Sequence, residues 1–140
     1  YLDGEVTHLH SLGVTMVVSL LDELNTQAFG LQLEDMMCRA HDIAFIHSPI
    51  RDRSVPSSAD HFIDAVSTAY EHMAGGGHCV AHCWAGIGRT GLFAASMLVR
   101  DGSDPQNAFR QVSAARGEPV PDTVEQVVWL EQYAQVLRNT

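Results

Sequence analysis

The stretch from His78 to Val99 limits the fold more than any other part of this 140-residue chain. A short apolar run, His78 to His82, meets a turn holding Gly86 and Gly88, and then Leu92 to Val99, which is apolar nearly all round. A helix without a polar face has to be covered on every side. It is therefore expected at the centre of a domain, fed by a short strand. Other segments read as the cover. Val14 to Leu20, after Gly13, and Ile43 to Ile50 have the β-branched, apolar character of strands. Leu31, Met36, Met37 and Ala40 are compatible with one helix face. Phe62, Ile63, Val66, Tyr70 and Met73 recur at helical spacing until Gly75-Gly76-Gly77 ends the run. Asp104-Pro105 reads as a cap followed by proline at the first helical position. Asp122 is expected to begin the last helix, with Val124, Val127, Val128 and Leu130 turned inward. The first 13 residues add little. Strands alternating with helices predict an α/β fold, a central, mostly parallel sheet flanked by helices on both faces. Ligands gather beyond the carboxyl ends of such strands, which is where Cys83 falls.

The turn itself carries chemistry. Cys83 and Arg89 stand six residues apart around Gly86 and Gly88, with a helix expected from about Gly88. That spacing suits a loop wrapped around a phosphate, its backbone N–H groups pointing inward from residues 84 to 89. A thiolate is the nucleophile in cysteine chemistry, and a helix N-terminus beside a cation favours it. Arg89 offers a planar fork of donors that matches a phosphoryl group bidentately, which a lysine does not. The two glycines let the main chain turn sharply close to a ligand. Thr90 is placed to donate its hydroxyl to the Cys83 sulfur as it leaves, and His82 to order the loop by hydrogen bonds. Trp84, Ala85, Gly86, Ile87 and Gly88 would form the cradle.

His82 to Gly91 resembles the His-Cys-x5-Arg-Thr/Ser-Gly signature of the cysteine-dependent protein tyrosine and dual-specificity phosphatases. The residues from Phe45 to Pro56 resemble that family's acid loop, which implies Asp52 as the general acid. This segment looks most like the compact dual-specificity enzymes similar to the phosphatase associated with cyclin-dependent kinases. Asp52 can also be read as an ordinary loop charge between Arg51 and Arg53. A third segment, Arg116 to Gln126, resembles the family stretch that positions the hydrolytic water. The resemblance matches Gln126 to its later glutamine. Asp122 stands where many relatives carry glutamine, and followed by Glu125 it also reads as a helix N-cap with its return acid. The resemblance implies a phosphocysteine intermediate, an α/β phosphatase fold, and no metal or organic cofactor.

Composition bounds the partners. The length fits one domain over 1–140, large enough to bury a core without staples. No apolar run approaches the roughly 20 residues that span a bilayer. The chain starts at Tyr1 rather than methionine, so residues missing upstream are left open. The net charge is −9 and all eight Lys+Arg cations are arginine, a balance that repels nucleic acid and anionic membranes. A monomer is expected. Family members acting on inositol lipids tend to carry basic residues inside the loop, whereas Trp84, Ala85 and Ile87 are neutral. This favours a phosphoprotein or phosphopeptide substrate, with phosphotyrosine and phosphoserine/threonine both admitted. The alternatives are the same chemistry on phosphoinositides or RNA 5′-phosphates, and a phosphopeptide-binding module without hydrolysis. Cys38, Cys79 and Cys83 make a poor disulfide framework, and a working thiolate favours a reducing, cytoplasmic setting. Cys38 reads as a buried helix residue. His78-Cys79 and His82-Cys83 look like paired metal ligands but lack a closed four-ligand spacing, so no metal is expected.

Overall fold

A computed structural model describes residues 2–22, 26–27, 33–50, 54–56, 58–83, 88–117, 119–121 and 123–139. Three short strands, β1 (Met16–Ser19), β2 (Ala44–His47) and β3 (Cys79–His82), form a parallel sheet in the order β2-β1-β3. Met16 lies opposite both Ala44 and Cys79, and Ser19 opposite both His47 and His82, so all three strands end level. Six helices complete the described fold: α1 (Leu2–Ser11), α2 (Glu34–Ala40), α3 (Ala59–Ala74), α4 (Gly88–Arg100), α5 (Pro105–Arg116) and α6 (Val124–Arg138).

The two-residue period of a strand divides the core. Met16 and Val18 of the central strand face one cluster, which gathers Phe62 and Val66 of α3, Leu92 and Phe93 of α4, Phe109 of α5 and Leu130 of α6. Val17 points the other way, to Val6 of α1, Cys38 of α2, Val14 and Ile43. Helices thus cover both faces of a central parallel sheet, the α/β arrangement expected. The central helix is α4. It packs on α3, α5, α6 and β3, and Leu92, Ala95 and Ser96 are wholly shielded from solvent. Ser96 satisfies its hydroxyl by donating to the Leu92 carbonyl at 2.8 Å. Edge-to-face contacts of Phe62 with Phe93 and Trp129, centroids 5.8 and 5.1 Å apart, tie α3, α4 and α6 together.

Several expectations are corrected. Residues 2–11, for which no element is expected above, form a helix whose Val6 enters the second core cluster. In α2 the buried apolar position is Cys38, while Met36 is exposed and Leu31 lies outside the described residues. Met73, at the end of α3, is also exposed. The last helix starts one residue after Thr123, whose hydroxyl accepts the Gln126 N–H at 3.2 Å, so Thr123 is the N-cap and not Asp122. The inward face also differs from the expected one. Gln126, Leu130, Tyr133 and Ala134 are buried, and Val124 and Val128 face solvent. Asp122 itself lies outside the described residues.

Candidate active site

The site is built at the carboxyl end of the sheet. β3 ends at His82, just before Cys83, and α4 begins at Gly88. No acidic residue occupies the first turn of α4, so the partial positive charge of that helix end is not neutralised there. Gly88, Arg89 and Thr90, all in this turn, are buried. Unsatisfied N–H groups at a helix start, an arginine and no nearby carboxylate on the same turn make a place that favours an anion.

Cys83 is half-buried and carries no disulfide. Its Sγ lies 2.9 Å from the Thr90 hydroxyl oxygen, within hydrogen-bond reach for sulfur. Burial pushes the Cys38 and Cys79 thiols each up to about 11, with the carboxylates of Glu34 and Asp35 adding to the effect at Cys38. Arg89 is only 2% exposed, and its Nη1 donates to the Ile50 carbonyl at 3.2 Å. A buried guanidinium requires acceptors around it. This one reaches across to the segment that leads, two residues later, to Asp52. Ile50 is held in turn by its own N–H, which donates to Leu20 at 3.0 Å, and bridges to Pro56.

Gln126 has no solvent exposure, and its Nε2 donates to the Ser54 carbonyl at 2.8 Å. Arg89 and Gln126 therefore grip the two flanks of the segment that carries Asp52, one on each side. Asp52 lies outside the described residues, as do Trp84, Ala85, Gly86 and Ile87. Of the residues singled out in the sequence, the structure brings together Cys83, Gly88, Arg89, Thr90 and His82 around one strand end and one helix start, with Gln126 across the site. His47 is a packing residue at the end of β2: its Nε2 donates to the Leu21 carbonyl at 2.6 Å. Among the described residues no three His, Cys, Asp or Glu side chains converge as metal ligands.

Sequence reasoning missed two participants. Glu34, 8% exposed, places Oε2 2.7 Å from His82 Nε2. The Ile50 carbonyl is a main-chain acceptor that no side-chain pattern marks. Glu34 begins a helix and reads as an ordinary first-turn acid, so only its tertiary contact distinguishes it.

A family model described as "Polymorphic toxin system, DSP-PTPase phosphatase" matches residues 3–103. No curated protein matches the chain. Among solved structures, kinase associated phosphatase (KAP), with serine substituted for its catalytic-site cysteine, superposes with a TM-score of 0.88 at 18% identity, over 99% of this chain and 78% of that one. PTPMT1 gives 0.83 at 19% identity, over 99% and 88%. Human DUSP28 gives 0.72 at 21% identity, over 97% and 84%. At these identities the likeness is one of fold. No helix among the described residues is long and apolar enough to cross a membrane.

Proposed function

We propose, from the premise that this chain belongs to the DSP-PTPase phosphatase family of polymorphic toxin systems, that it hydrolyses phosphoprotein esters through a phosphocysteine intermediate. The observation that carries the reading is the approach of Cys83 Sγ to Thr90 at the unneutralised start of α4, with Arg89 buried in the same turn.

In this mechanism the Cys83 thiolate attacks phosphorus in line. Arg89 and the amides of residues 84 to 89 stabilise the equatorial oxygens as charge builds there. Asp52 protonates the departing tyrosine, serine or threonine oxygen. The sulfur–phosphorus bond then breaks as water attacks, with Asp52 now taking the proton of that water and Thr90 donating to the departing thiolate. Gln126 fits a positioning role, since its bond to Ser54 ties α6 to the acid segment. Asp122 is assigned with it to the orientation of water. Phosphoprotein esters are favoured over inositol lipids and RNA ends by the neutral loop residues Trp84, Ala85 and Ile87 and by the net charge of −9. One phosphatase unit over 1–140, acting as a monomer in a reducing, cytoplasmic compartment without metal or cofactor, completes the proposal.

Release of inorganic phosphate from an aryl phosphate and from paired phosphotyrosine and phosphothreonine peptides, in the presence of chelator, tests it. Turnover is expected on both peptides, with Cys83→Ser binding but not hydrolysing them. Near-normal turnover by Cys83→Ser would refute the assignment. Peptide capture without phosphate release by the native chain would favour a binding module instead. Asp52→Asn should lower kcat by roughly two to four orders of magnitude while KM changes little. An unaltered rate removes Asp52 from the acid role.

A further inference from the structure

We propose that Glu34 is a positioning residue for the Cys83 nucleophile and acts on it through His82, an inference that rests on the phosphatase reading above. Strand alternation separates these groups. Cys79 and Ala81 of β3 pack against the α4 side of the sheet, and Val80 against the α1–α2 side. By the same period His82 falls on the α1–α2 side, and Cys83 returns to the α4 side, where it packs. His82 is thus the last residue before the phosphate loop, and its side chain reaches under the sheet rather than into the site.

Its main chain is fixed by the register with Ser19 and by its carbonyl, which accepts the Leu20 N–H at 2.9 Å. Its ring needs a separate anchor. Nε2 of His82 is shielded from solvent, and Glu34 Oε2 lies 2.7 Å away at ion-pair distance, though not in hydrogen-bond alignment. At this distance the carboxylate is the acceptor that the ring nitrogen needs, since a buried polar nitrogen is costly without a partner. Ordinary helix chemistry does not ask for a buried acid at position 34, because a first-turn carboxylate serves the helix end from solvent.

The consequence reaches the nucleophile. A carboxylate on Nε2 selects the tautomer with its proton on that nitrogen and fixes the ring plane. Nδ1, the nitrogen next to the main chain, is left as an acceptor. The ring then holds the approach to Cys83 while taking no part in bond making.

The pair can be tested with and without turnover. Glu34→Ala should lower kcat about tenfold and leave KM within about twofold, the low end of the loss seen when the partner of a metal-ligating histidine is removed. Glu34→Gln should recover most of this, because its amide oxygen accepts the same N–H. Combined with His82→Ala, Glu34→Ala should lower kcat no further than His82→Ala alone. Equal losses in both backgrounds, or an unchanged kcat in Glu34→Ala, overturn the inference. Two readouts need no substrate: the ring ¹⁵N shifts of His82 should change in Glu34→Ala, and iodoacetate should modify Cys83 severalfold more slowly. If both stay as in the native protein, Glu34 does not act on Cys83. A native chain that turns over no phosphate ester defeats the phosphatase reading alone, and these readouts still decide the fate of Glu34. Should Glu34→Ala not fold, Glu34→Asp replaces it, its shorter arm withdrawing the carboxylate from Nε2.

Discussion

Thr90 and Cys83 share one hydrogen bond, and either atom can be its donor. A sulfur that carries negative charge can only accept, so the hydroxyl donates whenever the thiolate forms or leaves. A bond to a charged group contributes about 1.5 to 3 kcal/mol, so Thr90→Val should lower kcat roughly ten- to hundredfold. The loss belongs to the second step, and samples quenched in alkali should trap more phosphoenzyme than the native protein gives. A kcat unchanged by the substitution would take Thr90 out of the mechanism. The other two thiols make a contrast. Raised to about 11 by burial, Cys38 and Cys79 stay protonated near neutrality. Iodoacetamide at neutral pH should therefore label one cysteine per chain, and Cys83→Ser should abolish the label. Mass spectrometry that found Cys38 or Cys79 modified first would contradict the structure.

The start of α4 depends on close packing as well as on charge. A Cβ added at Gly91 would lie 2.6 Å from Val120 Cγ1, closer than side-chain atoms approach. Gly91→Ala gains up to about 1 kcal/mol in helix propensity and loses about 1 to 3 to overpacking. Urea unfolding should show a net loss, and Val120→Ala in the same chain should restore part of it. Equal stability of native and variant would mean that the 120 segment moves aside freely. At the other helix, Thr123→Ala removes the cap on the Gln126 N–H and should lower stability by about 1 kcal/mol. α6 also marks how far sequence carries. A last helix starting near Asp122 is legible from its apolar spacing, but the backbone path puts the cap at Thr123 and the end at Arg138. Packing against the core, not the cap, left Val124 and Val128 outward and brought in Gln126, which reaches Ser54.

Across the whole molecule, the shifted thiols tie stability to pH. Cys38 and Cys79 go from an ordinary 9.0 to about 11 on folding, so each ionises earlier in the unfolded chain. Below pH 9 both are neutral in either state and their contribution is complete. As pH rises from 9 through 11 the unfolded state gives up protons that the folded state keeps, and stability falls. Melting temperatures should decline over this range more steeply than in a Cys38→Ala, Cys79→Ala chain. Parallel slopes would show that neither thiol is as buried as its surroundings imply.

Sequence alone determined what is local in this protein. Cysteine, two glycines, arginine and threonine at fixed spacing point to a turn suited to a phosphate, the reading proposed above, and an apolar helix after it demands cover on all sides. Both follow from neighbours along the chain. Tertiary structure decided what depends on residues far apart in sequence. Glu34 meets His82 because strand alternation turns that ring toward α2, and Arg89 and Gln126 grip the segment around Asp52 through main-chain carbonyls. Every residue has a carbonyl, so no residue type announces which one will be used; the fold brings the chosen ones within reach.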